Sequence, residues 1–315
     1  MQKGDDSIKK KLLYLVSILC LLVVCGLFWA GNYFYNYAVV PSDKSFLHHS
    51  TKLSKLEQSN QLWFTQQTKK NWYLTSQDQL KLHAIYLPAQ DIHSPNYVII
   101  AHGYMSQAKN MYDYAKMYHD LGYHVLMPDA RGHGKSQGNY IGFGWPERKD
   151  YLQWIQKIIK NNPQSHIVLH GVSMGAATVM MTSGEHLPKN VRAIIEDCGY
   201  SKVTDELAYQ LKQLFHLPAF PLVPITSLIT QWKAGYSFEQ ADALKQLAKN
   251  QTPMLFIHGK RDTFVPFKML NEVYQATSAP KEKYIVPKAT HASAYKTNPA
   301  AYQQRVQQFL AKYNS

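Results

Sequence analysis

The sequence predicts an α/β fold: a mostly parallel sheet with helices on both faces, a helical cap inserted late in the chain, and a transmembrane helix in front. Three observations carry this. Short, continuously apolar runs recur between stretches of helical length, as strands buried on both faces do. Those runs end in turns rich in glycine and aspartate. Near the amino terminus, Leu12 to Ala30 carry no charge and are mostly Leu, Val and Ile. With 315 residues, 45% of them apolar, one large domain with its own core is the default organisation.

In chain order, Lys9, Lys10 and Lys11 precede the apolar span, and Trp29, Tyr33, Phe34, Tyr35 and Tyr37 follow it. The span is one bilayer thickness of helix, with an aromatic belt at its far end. Lysines before it place the amino terminus in the cytoplasm and the rest of the chain outside the cell, a single-pass protein of the cell membrane. A cleaved signal is the competing reading, but neither Phe28/Ala30 nor Asn36/Ala38 gives the pair of small residues that cleavage wants. Lipidation at Cys25 is disfavoured by Val24, where known lipoprotein signals carry a small residue. The expected organisation is therefore a cytoplasmic stub and anchor over 1–40, a polar, weakly helical linker over 41–70, and the folded domain over 71–315.

Asn71–Thr75 and Leu80–Leu87 alternate apolar and polar residues around Ser76-Gln77-Asp78-Gln79, as a leading antiparallel hairpin should. Tyr97–Ala101, Tyr123–Met127, His166–Leu169, Val191–Glu196, Met254–Ile257 and Tyr284–Val286 read as buried strands. Helices are expected over Asn110–Leu121, Trp145–Asn161, Ala176–Ser183, Pro266–Thr277 and Pro299–Tyr313. This alternation implies a parallel sheet covered on both faces. Between Gly199 and Thr252 the rhythm breaks into two helical patterns around Leu217-Pro218-Ala219-Phe220-Pro221, whose prolines prevent one continuous helix. That stretch, about 200–250, is the expected cap. Its apolar residues, among them Phe215, Phe220, Leu228 and Trp232, serve packing, an acyl-binding wall or a second membrane contact.

The formal charge of +13 would suit an anionic surface. The lysines are scattered, however, no nucleic-acid-reading motif is present, and the largest basic cluster abuts the apolar span, so no nucleic-acid partner is expected. Two of the three cysteines lie in that span and Cys198 stands alone, which implies no disulfide framework.

Chemistry concentrates in His170-Gly171-Val172-Ser173-Met174-Gly175, a strand, a sharp turn and a helix. Gly-x-Ser-x-Gly at such a turn has a mechanical reason: the serine occupies strained backbone, and the residues two before and two after it sit where helix and strand leave no room for side chains. Ser173 then projects above the carboxyl edge of the sheet, where ligands bind in doubly wound folds. A serine nucleophile needs a base, and the base needs an acid. His291, in a loop after the last strand, can reach back as the base. Asp262, just past a buried strand, makes the order Ser, Asp, His, with Asp197 as the alternative acid. Asp129 is expected to tie down its own glycine-rich loop. The backbone N–H groups of Met174 and Tyr104 are the candidate oxyanion hole. His102, His170 and His258 are read as ending strands on the same edge, yet none has metal-ligand spacing, so neither a metal nor a cofactor is expected.

From about Asn71 to Tyr313 the chain resembles an α/β-hydrolase. The resemblance rests on His102-Gly103-Tyr104, Asp129-Ala130-Arg131-Gly132-His133-Gly134-Lys135-Ser136, Gly171-Val172-Ser173-Met174-Gly175, Gly259-Lys260-Arg261-Asp262 and His291, in the family's order. It is especially similar to bacterial members with an N-terminal membrane segment, described as serine-aminopeptidase-like or monoacylglycerol-lipase-like. This implies metal-free esterase, lipase or thioesterase chemistry on a small acyl ester or lipid, without naming the substrate. Two other readings stay open: a peptidase acting on short peptides through the same triad, and a catalytically silent surface-binding protein.

Overall fold

A computed structural model describes residues 2–42 and 53–313. Helix α1 (Gln2–Ala38) runs unbroken through the apolar span. Its large side chains from Leu12 to Trp29 are mostly exposed, and from Gly31 onward it packs on the domain. Residues 43–52 of the expected linker lie outside the described residues. In the rest of that stretch the expected weak helical character is a full helix, α2 (Lys55–Gln66). The Ser54 side chain accepts from Glu57 N–H while the Glu57 carboxylate accepts from Ser54 N–H, a capping box that starts the helix.

Strands β1 (Lys70–Thr75), β2 (Lys81–Leu87) and β3 (Asn96–Ala101) lead to α3 (Tyr112–Asp120) through one turn of 3-10 helix. Strand β4 (His124–Pro128), helix α4 (Glu147–Asn161), strand β5 (His166–Val172), helix α5 (Met174–Ser183) and strand β6 (Val191–Asp197) continue the alternation. Then come α6 (Val203–Phe215), α7 (Leu222–Ala234) and α8 (Ala243–Leu247). The chain closes with β7 (Met254–Gly259), α9 (Lys268–Ala276), β8 (Lys281–Val286), α10 (Ala294–Thr297) and α11 (Pro299–Tyr313).

The eight strands form one sheet in the order β1-β2-β4-β3-β5-β6-β7-β8. The β1–β2 and β2–β4 pairs are antiparallel and the remaining pairs parallel, as the leading hairpin and the alternation predict. Strand β3 shows why its run is continuously apolar: Ile99 and Ala101 enter one core cluster and Val98 and Ile100 the other, one on each face. Helices α4, α5, α8 and α9 cover the first face; α2, α3, α10 and α11 cover the second. The expected cap region is corrected at its end, since α8 packs on α5 as part of the sheet domain. The insertion over the site is α6 and α7, and α1 lies against α7.

Candidate active site

Ser173 sits between β5 and α5 at φ 57°, ψ −119°, a left-handed conformation that is costly for a residue with a Cβ. The flanking glycines make the turn possible. A Cβ on Gly171 would lie 2.1 Å from Gly175 O, and one on Gly175 would lie 2.1 Å from Ala101 O, neither of which an atom can occupy. The turn thus lifts a nearly buried hydroxyl to the rim of the sheet.

The loops after β7 and β8 bring the other two groups. Ser173 Oγ lies 2.8 Å from His291 Nε2, and His291 Nδ1 lies 2.8 Å from Asp262 Oδ2. Asp262 Oδ1 accepts from Phe264 N–H and Val265 N–H, so the carboxylate is fixed by its own loop. Burial pushes the Asp262 pKa up, but hydrogen bonds from His258 and His291 outweigh this and hold it at about 2. An ionised carboxylate only accepts, so His291 Nδ1 carries the proton and Nε2 is left to accept from the serine hydroxyl. Ser173, His291 and Asp262 thus stand side by side. Asp197, the alternative acid, is elsewhere engaged: its Oδ2 accepts from Tyr302 O–H at 2.9 Å. Burial raises its pKa to about 6.

Gly103 brings the loop after β3 against the serine, since a Cβ there would stand 3.4 Å from Ser173 Cβ. The N–H groups of Tyr104 and Met174 donate no hydrogen bond to the described residues. Asp129 holds its own loop as expected, accepting from Ala108 N–H and Lys135 N–H and meeting His83 Nδ1 at 2.7 Å.

Of the three histidines read as strand ends, His102 directly follows β3 and His258 is next to last in β7, while His170 needs correction. His170 lies inside β5, between Tyr118 O–H at 2.9 Å and Tyr302 O–H at 3.1 Å, where burial lowers its pKa to about 3. His258 lies within β7, its Nε2 shared between Val265 O and Asp262 Oδ2. His102 Nε2 accepts from Ala130 N–H. Each is engaged in a hydrogen bond within the fold. The ligand atoms of Cys198, Asp262 and His291 do lie within 4.8 Å of one another. Burial drives the Cys198 thiol well above its usual pKa.

Two cavities meet at Ser173. One is apolar, lined by Phe34 and Tyr37 of α1, Leu207 and Phe215 of α6, Val223 of α7, and Phe143. It holds about 860 Å³ of space, part of it open to solvent. The other, on the His291 side, is lined by Ser106, Asn110, Asp113, Tyr295 and Lys296 among others. Two participants escaped the sequence reading. The end of α1 forms pocket wall, which no local pattern announces. Glu206, in the first turn of α6, lines the apolar pocket with Oε2 unpartnered among the described residues. Burial raises its pKa to about 8.

Comparison with known proteins agrees with this architecture. Residues 93–220 match the family model described as serine aminopeptidase, S33. The chain is 34% identical over 223 residues to the uncharacterized protein YqkD of Bacillus subtilis, covering 70% of this chain and 73% of that one. It is 26% identical over 175 residues to the lysophosphatidylserine lipase ABHD12 of Macaca fascicularis, covering 54% of this chain and 41% of that one. The esterase Pf2001 of Pyrococcus furiosus superposes with a TM-score of 0.67 at 23% identity, covering 89% of this chain and all of that one (100%). With its doubly covered sheet, glycine-flanked serine turn and long match to these relatives, the chain belongs to the α/β-hydrolase superfamily.

Proposed function

We propose that this chain is a membrane-anchored serine hydrolase that cleaves carboxylic esters through an acyl-enzyme on Ser173. The observation that carries the reading is the unbroken hydroxyl–imidazole–carboxylate chain, with 2.8 Å at each link. Ser173 Oγ attacks the ester carbonyl as His291 Nε2 takes its proton, and Asp262 stabilises the imidazolium. The unpartnered N–H groups of Tyr104 and Met174 receive the oxyanion. His291 then protonates the departing alkoxide, and a water molecule, deprotonated by the same nitrogen, releases the acid.

The anchor reading rests on α1, whose Lys10–Ala38 stretch has a mean hydropathy of 2.7 over its best window. Lysines before it and aromatic residues after it support a cytoplasmic amino terminus and an extracellular catalytic domain. Retention is favoured over cleavage because removing α1 would delete a wall of the pocket.

A fluorophosphonate probe is expected to label the full chain in detergent, and labelling should vanish in Ser173→Ala together with hydrolysis of p-nitrophenyl butyrate. Labelling that survives Ser173→Ala ends this assignment. A second reading, aminopeptidase action, is favoured by Glu206, a carboxyl in the same cavity as Ser173 and a candidate partner for a peptide's amino group. Amino-acid p-nitroanilides turned over faster than p-nitrophenyl esters, with the preference lost in Glu206→Gln, would establish it.

A further inference from the structure

We infer that the substrate is a single-chain amphiphilic ester drawn from the bilayer, and that the last two turns of α1 form part of its acyl-chain site. This rests on the ester-hydrolase reading and adds to it a substrate class and a set of specificity residues outside the hydrolase domain.

Three observations converge. First, the cavities at Ser173 differ in chemistry: one is walled mainly by apolar side chains, with Glu206 and Gln210 as its polar exceptions, while the other mixes apolar side chains with Ser106, Asn110, Asp113 and Lys296. A carbonyl held at the serine would have its acyl chain on the first side and its alcohol on the second. A second acyl chain would have to enter the polar cavity, with its Asp113 and Lys296.

Second, α1 is built into the pocket and not merely tethered beside it. Phe34 and Tyr37 meet Phe215 edge-on at centroid distances of 5.2 and 5.0 Å. Tyr104, whose N–H faces the reacting carbonyl in the proposed mechanism, donates its hydroxyl to Ala38 O at 2.8 Å, and Ile141 N–H donates to Val39 O at 2.8 Å. Gly31 lets α1 lie against α7: a Cβ there would fall 2.4 Å from Ile225 and 2.8 Å from Ile229. Lys233 reaches across to Asn32 and lies over the Tyr35 ring.

Third, the pocket begins where the membrane span ends. Trp29 is 70% exposed and belongs to the bare part of α1, whereas Phe34 lines the cavity; at about 1.5 Å rise per residue the two are under 8 Å apart along the axis. Leu228 and Trp232 are exposed apolar side chains of α7, the helix that packs on α1. A chain leaving the bilayer there meets carbon along its path to Ser173.

The test uses the full chain in phosphatidylcholine nanodiscs, with p-nitrophenyl esters from C4 to C16 and with 1-oleoylglycerol and dioleoylglycerol as bilayer-borne probes. Wild type is expected to favour long chains and to cleave 1-oleoylglycerol at least about tenfold faster than dioleoylglycerol. Ala38→Phe, which fills the pocket, should lower the C12-to-C4 ratio of kcat/KM by about tenfold, and Phe34→Ala should move the optimum to longer chains. Val23→Ala, in the exposed span, should keep the wild-type profile. Because the two pocket variants shift the optimum in opposite directions, a folding defect in either one cannot imitate the pattern. Ser173-dependent hydrolysis with one common profile across wild type, Ala38→Phe and Phe34→Ala overturns the inference while leaving the ester-hydrolase reading intact, as does equal cleavage of the one-chain and two-chain lipids. Loss of all Ser173-dependent ester hydrolysis in wild type would instead remove the reading beneath it.

Discussion

The sheet rim and the helical wall facing it build the two halves of the site by different physics. At the rim, position is dictated by backbone sterics and directional hydrogen bonds. Gly171 and Gly175 leave no space for a methyl group, Ser173 is held at positive φ, and Asp262 is gripped by two N–H groups of its own loop. In the wall, α1, α6 and α7 meet mainly through apolar contacts that many side chains can make, with Gly31 a tight point and hydrogen bonds from the Tyr104 hydroxyl and Ile141 N–H to the Ala38 and Val39 carbonyls at the end of α1. On the proposed reading, reaction chemistry is locked locally, while substrate choice rests on long-range packing that can drift without moving Ser173, His291 and Asp262.

The sharpest contrast is therefore in activity. Ser173→Ala and His291→Ala should each lower kcat by roughly 10⁶ in a p-nitrophenyl butyrate assay, because either change removes the whole covalent route. Asp262→Asn should cost less, about 10⁴, by losing the acceptor that fixes the His291 tautomer. A loss under tenfold in any of the three would dissolve the rim as a catalytic unit.

Next in size is the turn itself. Gly175→Ala places a methyl group 2.1 Å from a backbone oxygen, and backbone cannot swing aside as a side-chain end can. The expected destabilisation is about 3 kcal/mol, the upper end for overpacking, read as a fall in thermal midpoint in detergent with Ser173 labelling lost in parallel. On the wall, Phe215→Ala should cost about 2 kcal/mol, less than a fully buried phenylalanine because Phe215 is only half-buried. A larger cost for Phe215→Ala than for Gly175→Ala would reverse the comparison.

The same division explains what the sequence made legible. The serine turn, the strand-end loops and the Ser-Asp-His order are local patterns of a few residues each, so they can be read without knowing what lies across the fold. Strand β5 and helix α5 follow from the pattern around Ser173, with boundaries displaced by two or three residues because the strand continues through His170 and Gly171 into the turn. Helix α2, with its polar surface, read only as a weakly helical linker, although Ser54 and Glu57 stand at capping-box spacing at its start. The pocket wall had no such signal. Phe34 and Phe215 are far apart in sequence, and the aromatic cluster after the span reads equally well as an interfacial belt; only the packing of α1 on α7 assigns part of it to a cavity. His170 misled for a related reason: in an apolar strand its partners, Tyr118 and Tyr302, come from two distant helices.

An effect that depends on pH falls where rim and wall meet, at Glu206. Burial raises its pKa to about 8, opposed by the hydrogen bond with Gln210 and reinforced by the Asp262 charge. A carboxyl whose folded pKa lies above its unfolded value of about 4.3 contributes stability that is fully present below that value and lost as pH rises toward about 8. Within this window the folded chain holds a proton that the unfolded chain has released, so stability should fall by up to about 1.4 kcal/mol per pH unit. Glu206→Gln keeps an oxygen for Gln210 and carries no titrating proton, so its thermal midpoint should gain on wild type steadily from pH 5 to pH 8 and level off above. Parallel pH profiles for the two proteins would mean that Glu206 is already ionised at neutral pH. In that case the apolar pocket would hold a fixed negative charge beside Ser173, and the balance would tip from an acyl chain toward a cationic amino group as its occupant.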